Sequence, residues 1–405
     1  MKYLFCLSLL FSASNVFGVI PHAYVTDQLG GSVRVIDISN DTVQTIFGFN
    51  NPRVVKVTAD GSLAYVGCDD DTLRVIDTIT NTVLPVVVNV NHPVALSLTP
   101  DNKFMYIACA NNTTTVIDTM DYSTASIIDG FDKLRDIKVR PDGLFVYATN
   151  SGNGTVSVLD PTTHTVIDTI TGFKNPVGLT FTTDSAYAYV TDTNHNAVYV
   201  IRTSDNSIED VILGFSSPAY IAVTPDRTYA FVSNTGHDTV SVIRTSDNMI
   251  VHTIPIPTPK SLAVTQDGAF LYVASDFGTV FKVRILDYTI LIAIPNFQNP
   301  SNLTLTTNNA PGDTVNACQV TFSPTDTFNR IFWQAAPGNP TGYNIYRDVD
   351  LMQLIATLPA TTFTYKDDNR EVGQTYTYYM TADYANGFSS TIGSVEVTPV
   401  RTCVQ

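Results

Sequence analysis

A motif of about 41 residues recurs along most of the chain and leaves few folds open to it. Its first mark is a turn built on Asp: Thr58-Ala59-Asp60-Gly61, Thr99-Pro100-Asp101-Asn102, Arg140-Pro141-Asp142-Gly143, Thr182-Thr183-Asp184-Ser185, Thr224-Pro225-Asp226-Arg227 and Thr265-Gln266-Asp267-Gly268. The six Asp follow one another at steps of 41 or 42. An aromatic-centred segment comes after each turn, as in Tyr65-Val66, Tyr106-Ile107 and Phe231-Val232. An alternating segment ending in a polar residue comes next, as in Val33 to Asp37, Val156 to Asp160 and Val240 to Arg244, and it has seven copies. A proline opens the following unit at Pro52, Pro93, Pro176, Pro218, Pro259 and Pro300, with Leu134 as the one departure.

Each unit therefore holds four short strands, a to d. In one of them the spacing predicts a over 177–182, b over 186–191, c over 197–202 and d over 207–213. Val, Ile, Thr and Tyr dominate these segments, as half-buried strands require. Of the acids all but Glu209, Glu371 and Glu396 are Asp, a turn residue and a poor helix former. Four strands per 40–45 residues is the pattern of a β-propeller blade. The chain enters the array at His22 to Thr26, which matches strand b, and leaves it at Pro300 to Leu305, which matches strand a. The expectation is an all-β, seven-bladed propeller. Six blades are continuous, and the last joins N-terminal strands b, c and d to a C-terminal strand a. Closure of this kind removes free sheet edges.

Ala188-Tyr189-Val190-Thr191-Asp192 followed by Ala197-Val198-Tyr199-Val200-Ile201, and Phe231-Val232-Ser233-Asn234 followed by Thr239 to Ile243, resemble the repeat of YVTN-family propellers. That family lies close to lactonase-like and quinoprotein-like seven-bladed propellers. The resemblance covers residues 22–306 and implies a secreted or surface protein of a prokaryote. It carries no activity, because the motif residues are strand and turn residues.

The period stops after Leu305. A propeller over 19–307, a polar linker over 308–315 and a second domain over 316–405 are expected, with Pro300 to Thr306 also open to use as that domain's first strand. Residues 330–398 alternate as in a small immunoglobulin-like sandwich. Gly342 to Asp348, Gly373 to Tyr379 and Ala385-Asn386-Gly387 resemble fibronectin type III domains. That resemblance implies a tyrosine-corner role for Tyr376 and a core role for Trp333. The adhesive Arg-Gly-Asp tripeptide is absent.

At the other end, Lys2 and the apolar run Tyr3 to Phe11 read as a signal peptide over 1–18, cleaved after Val16-Phe17-Gly18. Export makes disulfides possible, and Cys318 with Cys403 would clamp the second domain. Cys68 and Cys109 fall at equivalent positions of adjacent repeats and read as buried thiols. Lys+Arg total 22 against 37 Asp+Glu, a formal net charge of −15. Nucleic acid as a partner is disfavoured by that balance, and no apolar run is long enough to span a membrane. No nucleophile elbow, Walker loop, dinucleotide fingerprint or zinc spacing occurs, so no catalytic residue, metal or cofactor is indicated.

In a propeller the b–c and d–a loops gather at one end of the channel. The b–c loops supply the candidate ligand-binding residues Asp69, Asp70, Asn111, Asn112, Asn150, Asp192, Asn194, His195, Asn234, His237, Asp238 and Asp276. Phe49, Phe131, Phe173, Phe215 and Phe297 of the d–a loops stand near them. Carboxylate, amide and imidazole groups beside aromatic rings suit a sugar, a peptide or a cation. The same Asp and Asn are also what tight turns need. The foremost expectation is a secreted, non-enzymatic binding or adhesion protein with a protein or glycan ligand at the b–c face. A structural surface-layer component and a lactonase-like enzyme using Asp192, His195, His237 and Asp238 are the alternatives. The oligomeric state is left open.

Overall fold

In the computed structural model, residues 22–306 are described throughout, and beyond them seven strands between Gln319 and Val397 by their backbone. Residues 22–306 form seven four-stranded antiparallel sheets, a seven-bladed propeller. The described residues contain no helix.

Blade 4 shows how the sequence makes the unit. Strand a is Pro176–Phe181, b is Tyr187–Asp192, c is Ala197–Arg202 and d is Ser207–Leu213. Strands c and d match the spacing, while a and b are each displaced by one residue. Proline itself is the first residue of strand a, where a missing N–H costs the ladder nothing, and Pro176 lies opposite Asp192. The a–b turn is set by its Asp. Asp184 Oδ1 accepts from the Thr182 hydroxyl at 2.6 Å and from the Ala186 N–H at 3.1 Å. The same two bonds form at Asp60, Asp101, Asp226 and Asp267. Arg140 replaces the Thr at Asp142.

Strand b is buried along nearly its whole length, and the cores lie between blades rather than within them. Tyr24, Val33, Ile46 and Phe49 of blade 7 pack on Val55, Val57, Ala64 and Cys68 of blade 1, for example. The strand-b tyrosine staples neighbours together. Its hydroxyl donates to the left-handed c–d turn residue of the next blade: Tyr24 to Asn81 at 2.5 Å, Tyr189 to Asn248 at 3.2 Å, and Tyr147 to Asn206. His164 takes this turn position beside Tyr106, 2.8 Å away. Cys68 and Cys109 are buried free thiols, and burial pushes the Cys68 thiol up to about 11.

The seventh blade closes the ring as the repeat requires. Pro300–Leu305 pairs with His22–Asp27, which pairs in turn with Ser32–Asp37 and then Val43–Phe47. It is the innermost strand of its blade and lies between the innermost strands of blades 6 and 1.

All seven innermost strands carry a bulge just after their first residue. In blade 1, Pro52 faces Cys68 and Val54 faces Gly67, so Arg53 is the extra residue. A bulge bends the strand and re-aims a side chain. Here it turns the second residue of six of the seven strands toward the channel mouth, the exception being Ala219 in blade 5.

Beyond the propeller, Gln319–Thr321, Asn329–Phe332 and Thr364–Asp367 form a three-stranded antiparallel sheet. Gln353–Pro359, Gly342–Asp348, Tyr376–Asp383 and Ser389–Val397 form a four-stranded one in that order. The expected signal peptide, the linker, Trp333, Cys318 and Cys403 lie outside the described residues, and Tyr376 is described by its backbone only. No described helix is long and apolar enough to cross a membrane.

Candidate functional site

Two positions of each b–c loop are built into the fold. The first is the last residue of strand b, which is Asp27, Asn150, Asp192, Asn234 and Ser275 in five of the blades. Asp192 is wholly buried and accepts N–H bonds from Lys174 at 2.6 Å, Asn175 at 3.1 Å and His195 at 3.1 Å. Asp27 does the same for Gln298 and Asn299. Asn150 and Asn234 donate to the Ser157 and Ser241 hydroxyls at 2.8 Å. Each side chain ties the incoming d–a loop to its own blade. The second position precedes strand c and has positive φ in every blade: Gly31, Asp71, Asn112, Gly154, Asn196, Asp238 and Gly278. The Asx residues accept the N–H of the next d–a loop, Asn112 from Lys133 at 2.7 Å and Asp238 from Thr258 at 2.8 Å. The glycines stand where a Cβ would collide with a phenylalanine carbonyl, as at Gly154 against Phe173.

Of the twelve candidates, Asn112, Asn150, Asp192, Asn234 and Asp238 thus serve the turns and loop anchors. Asp70 accepts from Thr72 and Asn111 from Thr113, both on exposed turns. His195 Nδ1 lies 2.9 Å from Asp192 and 2.8 Å from the Tyr199 hydroxyl, whose own pKa is raised by burial and by Asp192. Asn194 and His237 are exposed, and their side chains make no hydrogen bond among the described residues. Asp69 and Asp276 differ from the rest, because each pairs with a channel cation. Asp69 Oδ1 is 3.2 Å from Arg53 and 3.5 Å from His92, and Oδ2 accepts from Gln28 at 2.9 Å. Asp276 pairs with Lys260. The five d–a phenylalanines are at most 8% exposed and belong to the inter-blade cores, so they form no aromatic platform. Exposed apolar surface at this end comes instead from Phe277, 75% exposed, and Leu29, 67% exposed.

The concave site is the channel itself, a cavity of about 400 Å³. None of the twelve candidates lines it; two reach it through their partners. Its mouth carries the bulged second residues, with Arg53, Arg135 and Lys260 among them, and Gln28 beside them. Lys56 and Lys138 lie at the fifth position of their strands, about 10 Å further along at the usual strand rise. Asp136 accepts from Lys138 at 2.6 Å and from the Leu179 N–H at 3.0 Å. Tyr220 projects from blade 5 into the electrostatic reach of Asp136, Arg53, Arg135 and Asp276, and burial raises its phenol pKa. Burial, with the Lys138 charge next, brings the Lys56 pKa down to about 8. Among the described residues no group of three or more His, Cys, Asp or Glu is placed to hold a metal ion.

These channel residues are hidden by the repeat. Repeat matching looks for what the blades share, and Arg53, Arg135 and Lys260 stand at a position where other blades have Val94, Val177, Ala219 and Ser301. The departures from the repeat were the available signal.

Comparison with known proteins locates the fold and nothing finer. A hydrazine synthase of Kuenenia stuttgartiensis superimposes with a TM-score of 0.57 at 18% identity, over 69% of this chain and 92% of that one. A functionally unknown protein from Desulfotomaculum acetoxidans DSM 771 gives 0.63 at 16% identity, over 71% of this chain and 99% of that one. No family model and no curated protein matches the sequence.

Proposed function

We propose that the chain is a secreted, non-enzymatic binding protein of the YVTN propeller type, whose ligand seats over the b–c end of the channel. The observation that carries this reading is the ring of seven bulged strands, six of which aim their second residue into a single mouth while blade 5 contributes Tyr220. At the mouth Arg135 is not engaged by the fold, whereas most polar groups of the turns are. The exposed Phe277 and Leu29, with Asp70, Asn111, Asn194, His195 and His237, surround the mouth and offer contacts to the outer part of a ligand. The C-terminal strands act as a fibronectin-like sandwich, a spacer or second contact. Their three- and four-stranded antiparallel sheets support that assignment.

A thermal-shift screen of the full chain against neutral, acidic and basic sugars and short peptides tests the reading. Stabilising compounds should lose their effect on Val94→Trp, which fills the mouth. Stabilisation that persists in Val94→Trp, or chemical turnover of the compounds found, would overturn it.

A further inference from the structure

Five cations, Arg53, Lys56, Arg135, Lys138 and Lys260, line the channel against one acid, Asp136, in a chain whose formal net charge is −15. Three of the five are neutralised locally: Arg53 by Asp69, Lys138 by Asp136 and Lys260 by Asp276. Lys56 and Arg135 form no ion pair and make no side-chain hydrogen bond among the described residues, and Lys56 feels Asp136, already held by Lys138, only at longer range. They come from blades 1 and 3 and stand at two depths of one cavity.

The fold does not need these charges. The position of Arg135 is Val94, Val177 or Ala219 in other blades, and that of Lys56 is Thr180, Ala222 or Ala263. Neutral side chains therefore close the ring equally well. Lys56 loses hydration in the channel and is pressed further by the Lys138 charge, only partly offset by Asp136, while Arg135 stands exposed at the mouth with no ion-pair partner. A local violation that the architecture does not require marks a functional position. The missing component is negative charge.

We infer that the channel is a binding site for a small oxyanion, a carboxylate or a phosphate, held between Arg135 near the mouth and Lys56 further in. This rests on the reading that the ligand enters at the b–c end. Arg135 offers a planar fork that matches either oxyanion. Lys56 supplies a point charge further along the channel. A volume of about 400 Å³ admits an acidic sugar or a small organic acid as well as an inorganic ion. Apolar walls such as Val54, Val94 and Leu179 suit a carbon skeleton.

Calorimetric titration of the full chain with glucuronate, citrate, inorganic phosphate and glucose tests the inference. At least one anion should bind with a Kd below about 1 mM, and glucose at least about 10-fold more weakly. Arg135→Ala and Lys56→Met should each weaken the anion about 10-fold or more, while Arg244→Ala, outside the channel, leaves it within about twofold. Should Lys56→Met fail to fold, Lys138→Gln exposes the Asp136 carboxylate to the site and should weaken binding similarly. Binding of phosphate assigns an inorganic or phosphorylated ligand; binding of glucuronate or citrate alone assigns an organic carboxylate. Anions that bind no tighter than glucose, or bind both channel variants as well as the unaltered chain, overturn the inference. A neutral ligand lost only in Val94→Trp would then still leave the binding reading standing.

Discussion

The b–c turns and the innermost strands sit at the same end of the propeller, and their polar residues behave oppositely. In the turns, the carboxylates and amides that recur from blade to blade are taken up by the protein's own N–H groups, as Asp192 is by three of them. On the innermost strands, Lys56 and Arg135 face the channel unpaired, although they are fewer and the chain is acidic. The turns recur because the same backbone problem, an unsatisfied N–H beside a left-handed residue, recurs in each blade. The channel residues do not recur, because a closed ring asks only that they fit. Polarity that repeats with the fold belongs to the fold, and polarity that breaks the repeat is where function is to be sought.

Substitution at Asp192 should break this comparison most sharply. Asp192→Ala leaves three backbone donors of a buried loop junction without an acceptor, a loss of about 3 kcal/mol or more in denaturant unfolding. Arg135→Ala, of the same charge magnitude at the same end, should change stability by less than about 0.5 kcal/mol.

Lys56→Met should move stability the other way. The pKa of Lys56 is depressed from an ordinary 10.5 to about 8 in the folded chain. The unfolded chain therefore binds more protons between those values, and the unaltered protein gains stability as pH rises through that window. Below pH 8 the lysine is charged in both states, and its burial cost is fully present. Removal of the charge should stabilise by about 2 kcal/mol at pH 7, and the advantage should shrink toward zero above pH 10.5. Denaturation midpoints of both proteins at the two pH values check the sign and the size. An advantage that is flat with pH would mean that the charge costs the fold nothing.

Tyr147→Phe removes the staple to Asn206 and should cost about 1 kcal/mol, visible as a lowered unfolding midpoint. Phe231 already occupies the equivalent place in blade 5 without a hydroxyl and packs in the core between blades 5 and 6. The staple is thus an increment on packing rather than a condition for it. The smallest effects belong to the exposed turn residues. Asn194→Ala and His237→Ala should leave stability within about 0.5 kcal/mol, since their side chains hold nothing in the fold. A larger loss in the same unfolding assay would place them with Asp192.

Much of the architecture was readable from the repeat. Asp60 to Asp267 marked the a–b turns, the prolines marked the innermost strands, and the match of Pro300 to Leu305 with a strand a located the closing strand. These features are legible because each depends on local chemistry that recurs six or seven times. The candidate site was read less well. Asp69 and Asp276 were picked from turn composition and prove to touch the channel, but through Arg53 and Lys260, which the repeat pattern hid. Strict alternation gives no warning that Arg53 and Lys56, three residues apart, line one cavity; the bulge at Arg53 makes both face inward. The phenylalanines misled for the converse reason. Their place in loops implied exposure, and packing between blades buried them.

By itself, the sequence determined the blade, its four strands, the number of blades and the way the ring is closed. All of these follow from short-range periodicity and turn chemistry. Only the tertiary structure decided which residues share a space. Residues from all seven blades converge on the channel, from Gln28 to Thr304 along the chain, and that convergence is set by ring closure and by the bulges. The summed charge of −15 points away from an anion, yet the channel gathers five of the 22 Lys and Arg around one carboxylate. A ligand in a narrow cavity responds to the charges that face it there, while the exposed acids of the turns are screened by water and salt.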